Sequence, residues 1–529
     1  MPMRRTLLAL ICLALTLAVS APAGPRAPAP ALVPVTATTF VASGRGWGHG
    51  VGMSQYGALG YANDGWTYDQ ILAHFYTGAE LGPAPVARVR VLVAEARPSV
   101  TVSSTVPFRV RDLFGQTYPL PAGDVVLGPK LRVLVNGAPT ELVGPILFLP
   151  GSSPLALDRD RAYRGQIEVG VTGQKLSVIN SLGLEQYLAG VVPQEMPSAW
   201  PGEALKAQAV AARSYALAHR LGGKGFDLYA DVRSQVYGGI RAEQPAATAA
   251  IEATAGEVLL WEGKPIDALF HSTSGGTTLA AVEVFGKVVP YLVAVDDPYS
   301  ALSPVNRWGP TPVAEAVIRK GLKARSPVTA LKLTRGPSGR VATVQVVTAS
   351  GTTTVSGATL RAAAGLRSTW ITALGSLSLT RPGGPAVFGK LLTVTGKAQG
   401  IKGAVLSQRV DGIWQPLPGL TAKVKPLAPT SFRISAGKVA GPVLKVPVAP
   451  LVRIGASART LSGTVKPLTA GTAVELQQFL DGSWATVLEA TSDEVGRFVA
   501  VVTEPGVYRA RTAPAQGFAE GLSGQLEVP

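Results

Sequence analysis

The sequence predicts an α+β fold that is rich in strands, with one long alanine-rich helix and two small all-β, sandwich-like modules at the C-terminal end. Three observations support this prediction. From about residue 87, short runs such as RVRVLVAEA and QIEVGV alternate apolar with polar residues and are separated by turn residues. One long helical pattern, WPGEALKAQAVAARSYALAHRLGG, interrupts these runs. Beyond residue 380, one motif occurs twice.

The helical pattern begins at Pro201 and ends near Leu221. Proline is tolerated in a first helical turn, Glu203 lies where the helix dipole is positive, and Gly222 and Gly223 stop the pattern. The many alanines predict a helix that packs closely against its neighbours.

The repeated motif reads LSQRVDGIWQPL from Leu406 and LQQFLDGSWATV from Leu476, a spacing of 70 residues. Asp-Gly marks a hairpin turn in each copy. We therefore expect two copies of one β module, at residues 380–450 and 451–529, of a kind that commonly acts as a binding or spacer domain. For Trp414 and Trp484, a place in the module core is favoured over contact with a ligand.

Residues 1–23 have the features of a secretory signal peptide, with Arg4 and Arg5 at the start, a short apolar run, and small residues before a cleavage point. An uncleaved membrane anchor is the alternative, disfavoured because the apolar run is short for a spanning helix. Residues 24–39 form a linker rich in proline and alanine. We therefore expect a secreted or cell-envelope protein.

Cys12 is the only cysteine and lies within the predicted signal peptide, which excludes disulfides and thiolate metal sites from the mature chain. The formal charge is +16, and no lysine- or arginine-rich run indicates nucleic acid as a partner. In an exported protein, a diffuse positive charge suits an anionic surface such as a cell wall or a membrane face. Solubility alone explains the charge equally well.

Histidine is rare, at positions 49, 74, 219 and 271, and none of the four has the HExxH spacing of a zinc site. The GxSxG motif of serine hydrolases is absent from the sequence. We therefore expect no metal and no cofactor, and a serine hydrolase is poorly supported.

The strongest candidate for chemistry is Glu195, in the loop before the alanine-rich helix. Its neighbours Pro193, Met196, Pro197 and Trp200 are largely apolar. Such surroundings raise the pKa of a carboxyl group because desolvation disfavours the charged form, and a raised pKa suits a general acid.

Two further groups of polar side chains are candidates for the same site. Lys206 and Arg213 are seven residues apart on the helix, so they share one face about 10 Å apart and could orient Glu195 or hold an anionic or polyhydroxyl substrate. Two solvated cations are the alternative. In ALFHSTSGGTT, hydroxyls and an imidazole crowd the end of a strand-like run and could form a sugar-binding rim, although loops of serine and glycine are common. These side chains are His271, Ser272, Thr273 and Ser274.

The stretch GRGWGHGVGMSQYG, residues 44–57, places glycine at every second position from 44 to 52. A period of two predicts an extended strand, with the glycines on one face and Arg45, Trp47, His49 and Val51 on the other. The bare face would let another backbone or a sugar approach closely. The pattern leaves open whether Trp47 and His49 line a substrate groove or pack without touching a ligand.

Together, these motifs resemble the sporulation stage II protein D family, also called SpoIID/LytB. YLAGVVPQEMPSAWPGEALKAQAVAARSYAL is similar to its main signature, SQVYGG, FHSTSGG and YLVAVDDPYS look like its later blocks, and LRSTW at 366–370 looks like its closing block. The similarity covers about residues 40–372. It predicts a catalytic domain at residues 40–375, with a front segment at 40–80 and a main part at 85–375.

The resemblance implies a lytic transglycosylase that acts on the glycan strands of peptidoglycan. Such an enzyme cuts between N-acetylmuramic acid (MurNAc) and N-acetylglucosamine (GlcNAc) and forms 1,6-anhydroMurNAc. The resemblance places the catalytic acid and base at Glu195 and matches Lys206 and Arg213 to functional helix positions. The other residues expected to support catalysis or bind substrate are His271, Ser272, Ser274, Trp47, His49, Gln55, Tyr56 and Tyr237.

The same family offers a non-catalytic alternative. Some members are called amidase enhancers, which would make this protein a regulatory peptidoglycan-binding partner of a cell-wall amidase. Hydrolysis by a muramidase is the least favoured reading, because it needs a second carboxylate and Glu203 is not obviously placed to supply one.

The chain departs from the family pattern in two places. Some relatives bind zinc through cysteine and histidine near the QVY block, whereas this chain has Ser234 there, so zinc should be absent. In many members the GRGWGHG stretch follows LRSTW, but here it precedes the whole domain. We therefore expect residues 43–76 to dock, as a permuted piece, near the end of segment 366–370.

Overall fold

The computed structural model describes residues 33–467, 470–515 and 517–529. The predicted signal peptide and most of the predicted linker lie outside these residues. The chain divides into two compact units. The central unit is Phe40–Gly375, and the C-terminal unit combines the described residues up to Thr39 with Ser376–Pro529.

All α-helices of the described chain lie in the central unit. They are α1 (Gln55–Asn63), α2 (Tyr68–Phe75), α3 (Leu184–Ala189), α4 (Val192–Glu195), α5 (Gly202–Ala218), α6 (Pro245–Ala253), α7 (Ala281–Phe285), α8 (Glu315–Gly321) and α9 (Gly357–Ala364). Among the described residues, none of the helices is both long and apolar enough to cross a membrane.

Strands make up most of the regular structure of the central unit; β1 starts before its first residue and β24 ends after its last. The strands are β1 (Val35–Arg45), β2 (Met53–Ser54), β3 (Glu80–Pro83), β4 (Arg88–Arg97), β5 (Val100–Ser104), β6 (Phe108–Arg111), β7 (Thr117–Leu120), β8 (Gly123–Leu127), β9 (Arg132–Val135), β10 (Ala138–Glu141), β11 (Ile146–Leu149), β12 (Leu155–Leu157), β13 (Arg161–Tyr163), β14 (Gln166–Thr172), β15 (Lys175–Gly183), β16 (Leu228–Tyr229), β17 (Glu257–Trp261), β18 (Lys264–Pro265), β19 (Phe270–His271), β20 (Arg307–Ala314), β21 (Val328–Arg335), β22 (Val341–Thr348), β23 (Gly351–Ser356) and β24 (Ile371–Arg381).

The largest sheet of the central unit has seven strands in the order β16-β4-β15-β14-β11-β6-β7. Its neighbouring strands are antiparallel, apart from β16, which runs parallel to β4. The sheet β13-β12-β5-β8 shares one apolar core with it. This strand-rich architecture with separate helices agrees with the predicted α+β class.

Helix α5 is buried on two sides, which explains its alanines. Ala209, Ala212 and Ala216 belong to the core of the seven-stranded sheet, whereas Ala204 and Ala207 belong to a second core that includes residues of α1 and α2. Small side chains let both layers approach the helix axis. The predicted close packing is therefore confirmed, although the helix ends at Ala218, a few residues before the glycines.

The glycine-rich stretch at 44–57 is not the extended strand that its period of two predicts. Strand β1 ends at Arg45, and β2 starts only at Met53. Between them, Gly46, Gly48, Gly50 and Gly52 have φ values of +71°, +119°, +87° and +70°. The alternating glycines therefore mark a loop whose backbone repeatedly has positive φ. Residues with a Cβ atom rarely adopt this conformation, whereas glycine does so readily.

The loop packs against other backbones at very short range. A Cβ at Gly46 would lie 2.7 Å from the carbonyl oxygen of Thr273, and one at Gly52 would lie 2.0 Å from that of Leu269. The close approach inferred from the bare glycines is therefore correct, although its geometry is that of a loop. We call residues 46–52 the glycine loop.

The front segment also contacts segment 366–370, where the sequence analysis expected it to dock. The amide of Arg45 donates to the carbonyl oxygen of Trp370 at 3.0 Å, and the amide of Gly48 donates to that of Arg367 at 3.0 Å. The Ser368 hydroxyl donates to the carbonyl oxygen of Arg45. Backbone hydrogen bonds therefore join the two segments at several points.

The C-terminal unit is built from strands throughout its described residues. They are β25 (Ala386–Val387), β26 (Leu392–Gln399), β27 (Ala404–Val410), β28 (Ile413–Pro416), β29 (Thr421–Val424), β30 (Thr430–Ala436), β31 (Val439–Val446), β32 (Val448–Ala449), β33 (Leu451–Ser457), β34 (Thr460–Lys466), β35 (Ala473–Leu480), β36 (Ser483–Thr491), β37 (Arg497–Val501), β38 (Gly506–Thr512), β39 (Gly521–Leu522) and β40 (Leu526–Val528). Sheets β33-β34-β37 and β36-β35-β38 enclose one apolar core.

The two copies of the repeated motif form equivalent hairpins, β27–β28 and β35–β36. Asp411 and Asp481 both have φ of +47°, and the following glycines have φ of +80° and +81°, which is typical of a type I′ turn. Trp414 and Trp484 are only half-buried, so the expectation of core tryptophans is wrong. Each ring lies instead beneath an arginine, at 4.6 Å from Arg433 and 4.2 Å from Arg509 respectively.

We expect Gly52→Ala to destabilise the central unit much more than Gly65→Ala. Both positions have positive φ, so alanine costs about 1–2 kcal/mol at either one. At Gly52 the new methyl group also meets the Leu269 carbonyl, whereas nothing lies within 4 Å at Gly65. Overpacking should add about 1–3 kcal/mol. Denaturant unfolding of both variants measures the difference, and equal losses of stability would contradict the tight packing of the loop.

Candidate active site

Glu195 is the last residue of α4 and is half-buried. Its carbonyl oxygen accepts a hydrogen bond from Nε2 of Gln55 at 2.9 Å, and the same Nε2 lies 3.3 Å from Oε1 of Gln208 on α5. Gln55 begins α1, directly after the glycine loop and β2. One buried amide therefore ties the front segment, the Glu195 loop and the long helix together.

Burial raises the pKa of the Glu195 carboxyl group, in the direction that its apolar neighbours predict. Within the described chain, this carboxyl makes no ion pair and no side-chain hydrogen bond that would stabilise its charged form. It lies near Tyr187 and Tyr215, whose pKa values are raised mainly by burial and further by its negative charge. Such a carboxyl group is suited to hold a proton and donate it.

An aromatic pair flanks the Glu195 loop. The rings of Tyr56 and Trp200 meet edge to face, with centroids 4.9 Å apart. The amide of Tyr56 donates to the carbonyl oxygen of Ser272 at 3.1 Å, and the Ser272 side chain is half-buried. The structure therefore brings Gln55, Tyr56 and Ser272 into the neighbourhood of Glu195.

A second carboxyl group, which the sequence analysis missed, belongs to this neighbourhood. Asp267 precedes β19, and burial raises its pKa. Its Oδ1 lies 3.6 Å from Nε2 of His219, and the His219 ring stacks on Tyr215 with centroids 4.0 Å apart. Asp267 and Glu195 both raise the pKa of Tyr215, so both carboxyl groups lie within electrostatic range of one phenol. The signal in the sequence was an aspartate within the apolar run PIDALF.

The structure does not bring the side chain of Lys206 or Arg213 into contact with Glu195. The Lys206 ammonium donates to Oε1 of Glu203 at 2.7 Å. Arg213 is fully buried; its guanidinium pairs with the Glu185 carboxylate at 2.5 Å and donates to the carbonyl oxygen of Glu257 at 2.8 Å. Lys206 therefore pairs within α5, Arg213 fastens α5 to α3 and β17, and neither forms a hydrogen bond or ion pair with Glu195.

Tyr237 and Ser274 are also structural. Tyr237 is buried, its hydroxyl donates to Oδ1 of Asn180 at 2.9 Å, and burial raises its pKa far above the usual value. The buried Ser274 hydroxyl donates to Oδ2 of Asp297 at 2.6 Å and accepts from the amide of Gly276 at 3.1 Å. The expectation that these two side chains bind substrate is wrong because neither reaches the surface.

His49 of the glycine loop and His271 of β19 are both held neutral. The amide of Val51 donates to Nδ1 of His49 at 3.1 Å, so Nε2 carries the proton and donates to the carbonyl oxygen of Phe270 at 2.9 Å. Burial lowers the pKa of His49 to about 4 and that of His271 well below its usual value. His271 is buried, with Nδ1 3.1 Å from the carbonyl oxygen of Val51. Both imidazoles fix the glycine loop in place.

Trp47 differs from these residues because 46% of its surface is exposed. Its amide donates to the carbonyl oxygen of Thr273 at 2.8 Å, and Arg367 covers one face of the ring at 4.7 Å. The remaining exposed surface is available to a ligand. Among the described residues, no group of three or more histidine, cysteine or acidic side chains could hold a metal ion.

A family model described as SpoIID, Stage II sporulation protein, matches residues 172–261. The matched region contains Glu195, α5 and the SQVYGG block. We assign this region of the chain, residues 172–261, to the SpoIID family. The SpoIID match does not include the glycine loop or FHSTSGG. These two segments lie beside the matched region in the folded structure, where Gln55 contacts Glu195.

Relatives of the SpoIID region are similar over short stretches. The chain is 40% identical over 136 residues to an uncharacterized protein of Brachyspira hyodysenteriae, covering 25% of this chain and 37% of the relative. It is 43% identical over 110 residues to the amidase enhancer of Bacillus subtilis, covering 21% of this chain and 15% of that relative. It is 33% identical over 143 residues to stage II sporulation protein D of Bacillus subtilis, covering 24% of this chain and 42% of that relative. The chain therefore spans less than half the length of each of these relatives.

We expect Arg213→Ala to unfold the SpoIID domain at much lower denaturant than Lys206→Ala. Truncation of the fully buried Arg213 leaves a cavity and an unpaired Glu185, at a cost of about 3 kcal/mol. The partly exposed Lys206–Glu203 pair is worth about 1 kcal/mol or less. Urea titrations followed by tryptophan fluorescence compare the two variants. If Arg213→Ala were as stable as Lys206→Ala, the structural role given to Arg213 would be wrong.

Proposed function

We propose that the SpoIID domain is a peptidoglycan lytic transglycosylase with Glu195 as its single acid and base. The observation that carries this proposal is the half-buried Glu195 carboxyl group, which has a raised pKa and is held through its backbone by Gln55. The names of the relatives, stage II sporulation protein D and amidase enhancer, support a role at the cell wall.

One carboxyl group suffices for the proposed reaction. Protonated Glu195 donates its proton to the glycosidic oxygen between MurNAc and GlcNAc as the bond from that oxygen to the anomeric carbon breaks. The resulting carboxylate then takes the proton of the MurNAc 6-hydroxyl while the oxygen of that hydroxyl bonds to the anomeric carbon. The products are a GlcNAc hydroxyl and 1,6-anhydroMurNAc, and no water is consumed.

The proposed groove is formed by residues beside Glu195. Tyr56 and Trp200 offer aromatic surface for sugar rings, and Ser272 offers a hydroxyl group at the adjoining strand end. Trp47 extends this surface on the side of segment 366–370. In this proposal residues 40–375 are the catalytic domain, with the front segment as a permuted part of it, and the two β modules hold it to the wall.

The proposed substrate lies outside the cytoplasm, so the proposal includes export by the signal peptide at residues 1–23. The partner would be peptidoglycan glycan strands. The diffuse positive charge of the chain, +16 formally and +14 without Arg4 and Arg5 of the signal peptide, favours attraction to the anionic wall.

The second candidate is a non-catalytic peptidoglycan-binding protein that assists a cell-wall amidase. It is favoured by the similarity to a protein named amidase enhancer. The aromatic pair and hydroxyls beside Glu195 would serve glycan binding equally in this case. The two candidates differ in whether Glu195 performs chemistry.

Glu195→Gln is expected to abolish glycan cleavage, by about a thousandfold or more, because the amide cannot donate and retake the proton. Purified protein is incubated with glycan strands, with and without stem peptides, and the products are examined by mass spectrometry. Glu203→Gln is the matched control, since Glu203 is a neighbouring carboxylate paired with Lys206, and it should keep most activity.

The products separate the alternatives. Ends of 1,6-anhydroMurNAc that disappear in Glu195→Gln support the proposal. Reducing MurNAc ends that also disappear in Asp267→Asn would show hydrolysis through a second carboxyl group. Binding of glycan without cleavage by the wild-type protein would leave the amidase-assisting role.

The rate is also expected to fall as pH rises. Burial raises the pKa of Glu195, so the protonated acid predominates below that raised pKa and is lost as pH passes through it. The value of kcat/KM is therefore highest on the acidic side and declines on the alkaline side, provided that the protein stays folded by circular dichroism. A rate that increases over the same range would argue against Glu195 as general acid.

A further inference from the structure

A separate cavity of about 400 Å³ lies within the central unit between α7, the turn at 336–342 and α9. None of the residues around Glu195 lines it. Its walls are mostly apolar, and its charged lining residues are few. The apolar lining residues include Leu279, Val282, Val284, Pro337, Val341 and Ala342.

Arg340 is the most deeply buried charge in the wall of this cavity, with 3% of its surface exposed. Its Nη2 donates to the carbonyl oxygens of Ser274 at 2.5 Å and Thr277 at 3.1 Å, and the guanidinium lies 4.7 Å from the Trp370 ring. Its Nε has no hydrogen-bond partner among the described residues. An unpaired donor on a buried cation is costly, so it indicates a place for an acceptor.

Arg361 on α9 adds a second cation to the same wall. Its Nε donates to the carbonyl oxygen of Arg367 at 3.1 Å, and within the described chain neither Arg361 nor Arg340 forms an ion pair with a carboxylate. The acidic lining residue is Glu283, whose Oε2 accepts from the amide and the hydroxyl of Ser338 at 3.2 Å and 2.7 Å. His49 also lines the cavity and is neutral. Two cations against one engaged carboxylate leave the cavity with one uncompensated positive charge.

We infer that this cavity binds a small monoanionic carboxylate with a short aliphatic group, its carboxylate on Arg340 and Arg361 and its aliphatic part on the valine and leucine walls. Guanidinium groups recognise planar carboxylates well. One uncompensated charge fits a monoanion, whereas a phosphate dianion would meet Glu283. The volume lies within the range typical of small-ligand sites.

Two sources would supply this chemistry: a free aliphatic carboxylate, or the C-terminal carboxylate of a short peptide such as the alanine-ended stem peptides of a cell wall. Binding to this cavity does not depend on catalysis at Glu195. The inference therefore stands or falls separately from the proposed transglycosylase activity.

The test titrates the full chain with 3-methylbutanoate, with the neutral isostere 3-methylbutan-1-ol, and with a short peptide that ends in D-alanyl-D-alanine, each followed by calorimetry and amide chemical shifts. We expect saturable binding of a carboxylate and at least tenfold weaker binding of the alcohol. Comparable affinity for 3-methylbutanoate and the peptide supports a free carboxylate, and markedly tighter peptide binding supports the stem-peptide source.

Arg361→Gln should weaken carboxylate binding by about tenfold or more, because it removes one charged donor. Arg325→Gln is the matched control, since Arg325 is exposed, does not line the cavity and removes the same charge. Arg340 is not the first choice, because its substitution would also release the carbonyls of Ser274 and Thr277. Val282→Trp blocks the cavity without changing its charge and should abolish binding.

Three results would overturn the inference. These are no saturable binding of either carboxylate, equal affinity for the alcohol, or carboxylate binding that Arg361→Gln and Val282→Trp leave unchanged. In each case Arg340 would serve only to fasten the 274–277 turn to Trp370.

Discussion

The close packing of the glycine loop against the backbones of residues 269–274 is the constraint on which the candidate site depends. A single methyl group at Gly52 would meet the carbonyl oxygen of Leu269 at 2.0 Å. Because the loop is seated this closely, β2 pairs with β19 and α1 starts where Gln55 reaches the carbonyl of Glu195. The position of the candidate acid therefore follows from contacts made by residues more than a hundred positions away in sequence.

The ionisable side chains packed around this loop include two neutral histidines and one buried arginine. His49 and His271 are neutral because burial opposes their protonation, and backbone groups of Val51 and Phe270 fix their ring orientation. Arg340 supports the same region from the other side by bonding to the carbonyls of the 274–277 turn. Two neutral rings and one buried cation therefore hold the glycine loop and the 274–277 turn.

Burial affects two ionisable residues near α5, Arg213 and Glu195, in different ways. Arg213 is wholly buried, so its pairing with Glu185 stabilises the fold, because desolvation would penalise the guanidinium heavily without that partner. Glu195 has no ion-pair partner in the described chain, so desolvation of its carboxylate raises the pKa of the group. The contrast separates a residue that supports the helix from the residue proposed as the general acid.

The sequence by itself determined the local features: the strand-rich α+β class, the limits of α5 to within a few residues, the two Asp-Gly hairpins and the apolar surroundings of Glu195. These depend on patterns within a few neighbouring residues, which periodicity and turn chemistry report directly. Tertiary structure alone decided that Arg213 and Tyr237 are buried, that Asp267 lies near Tyr215, and that the glycine loop is no strand. The reason is that burial and partners depend on segments distant in sequence, and glycine alternates equally in an extended strand and in a loop of positive φ.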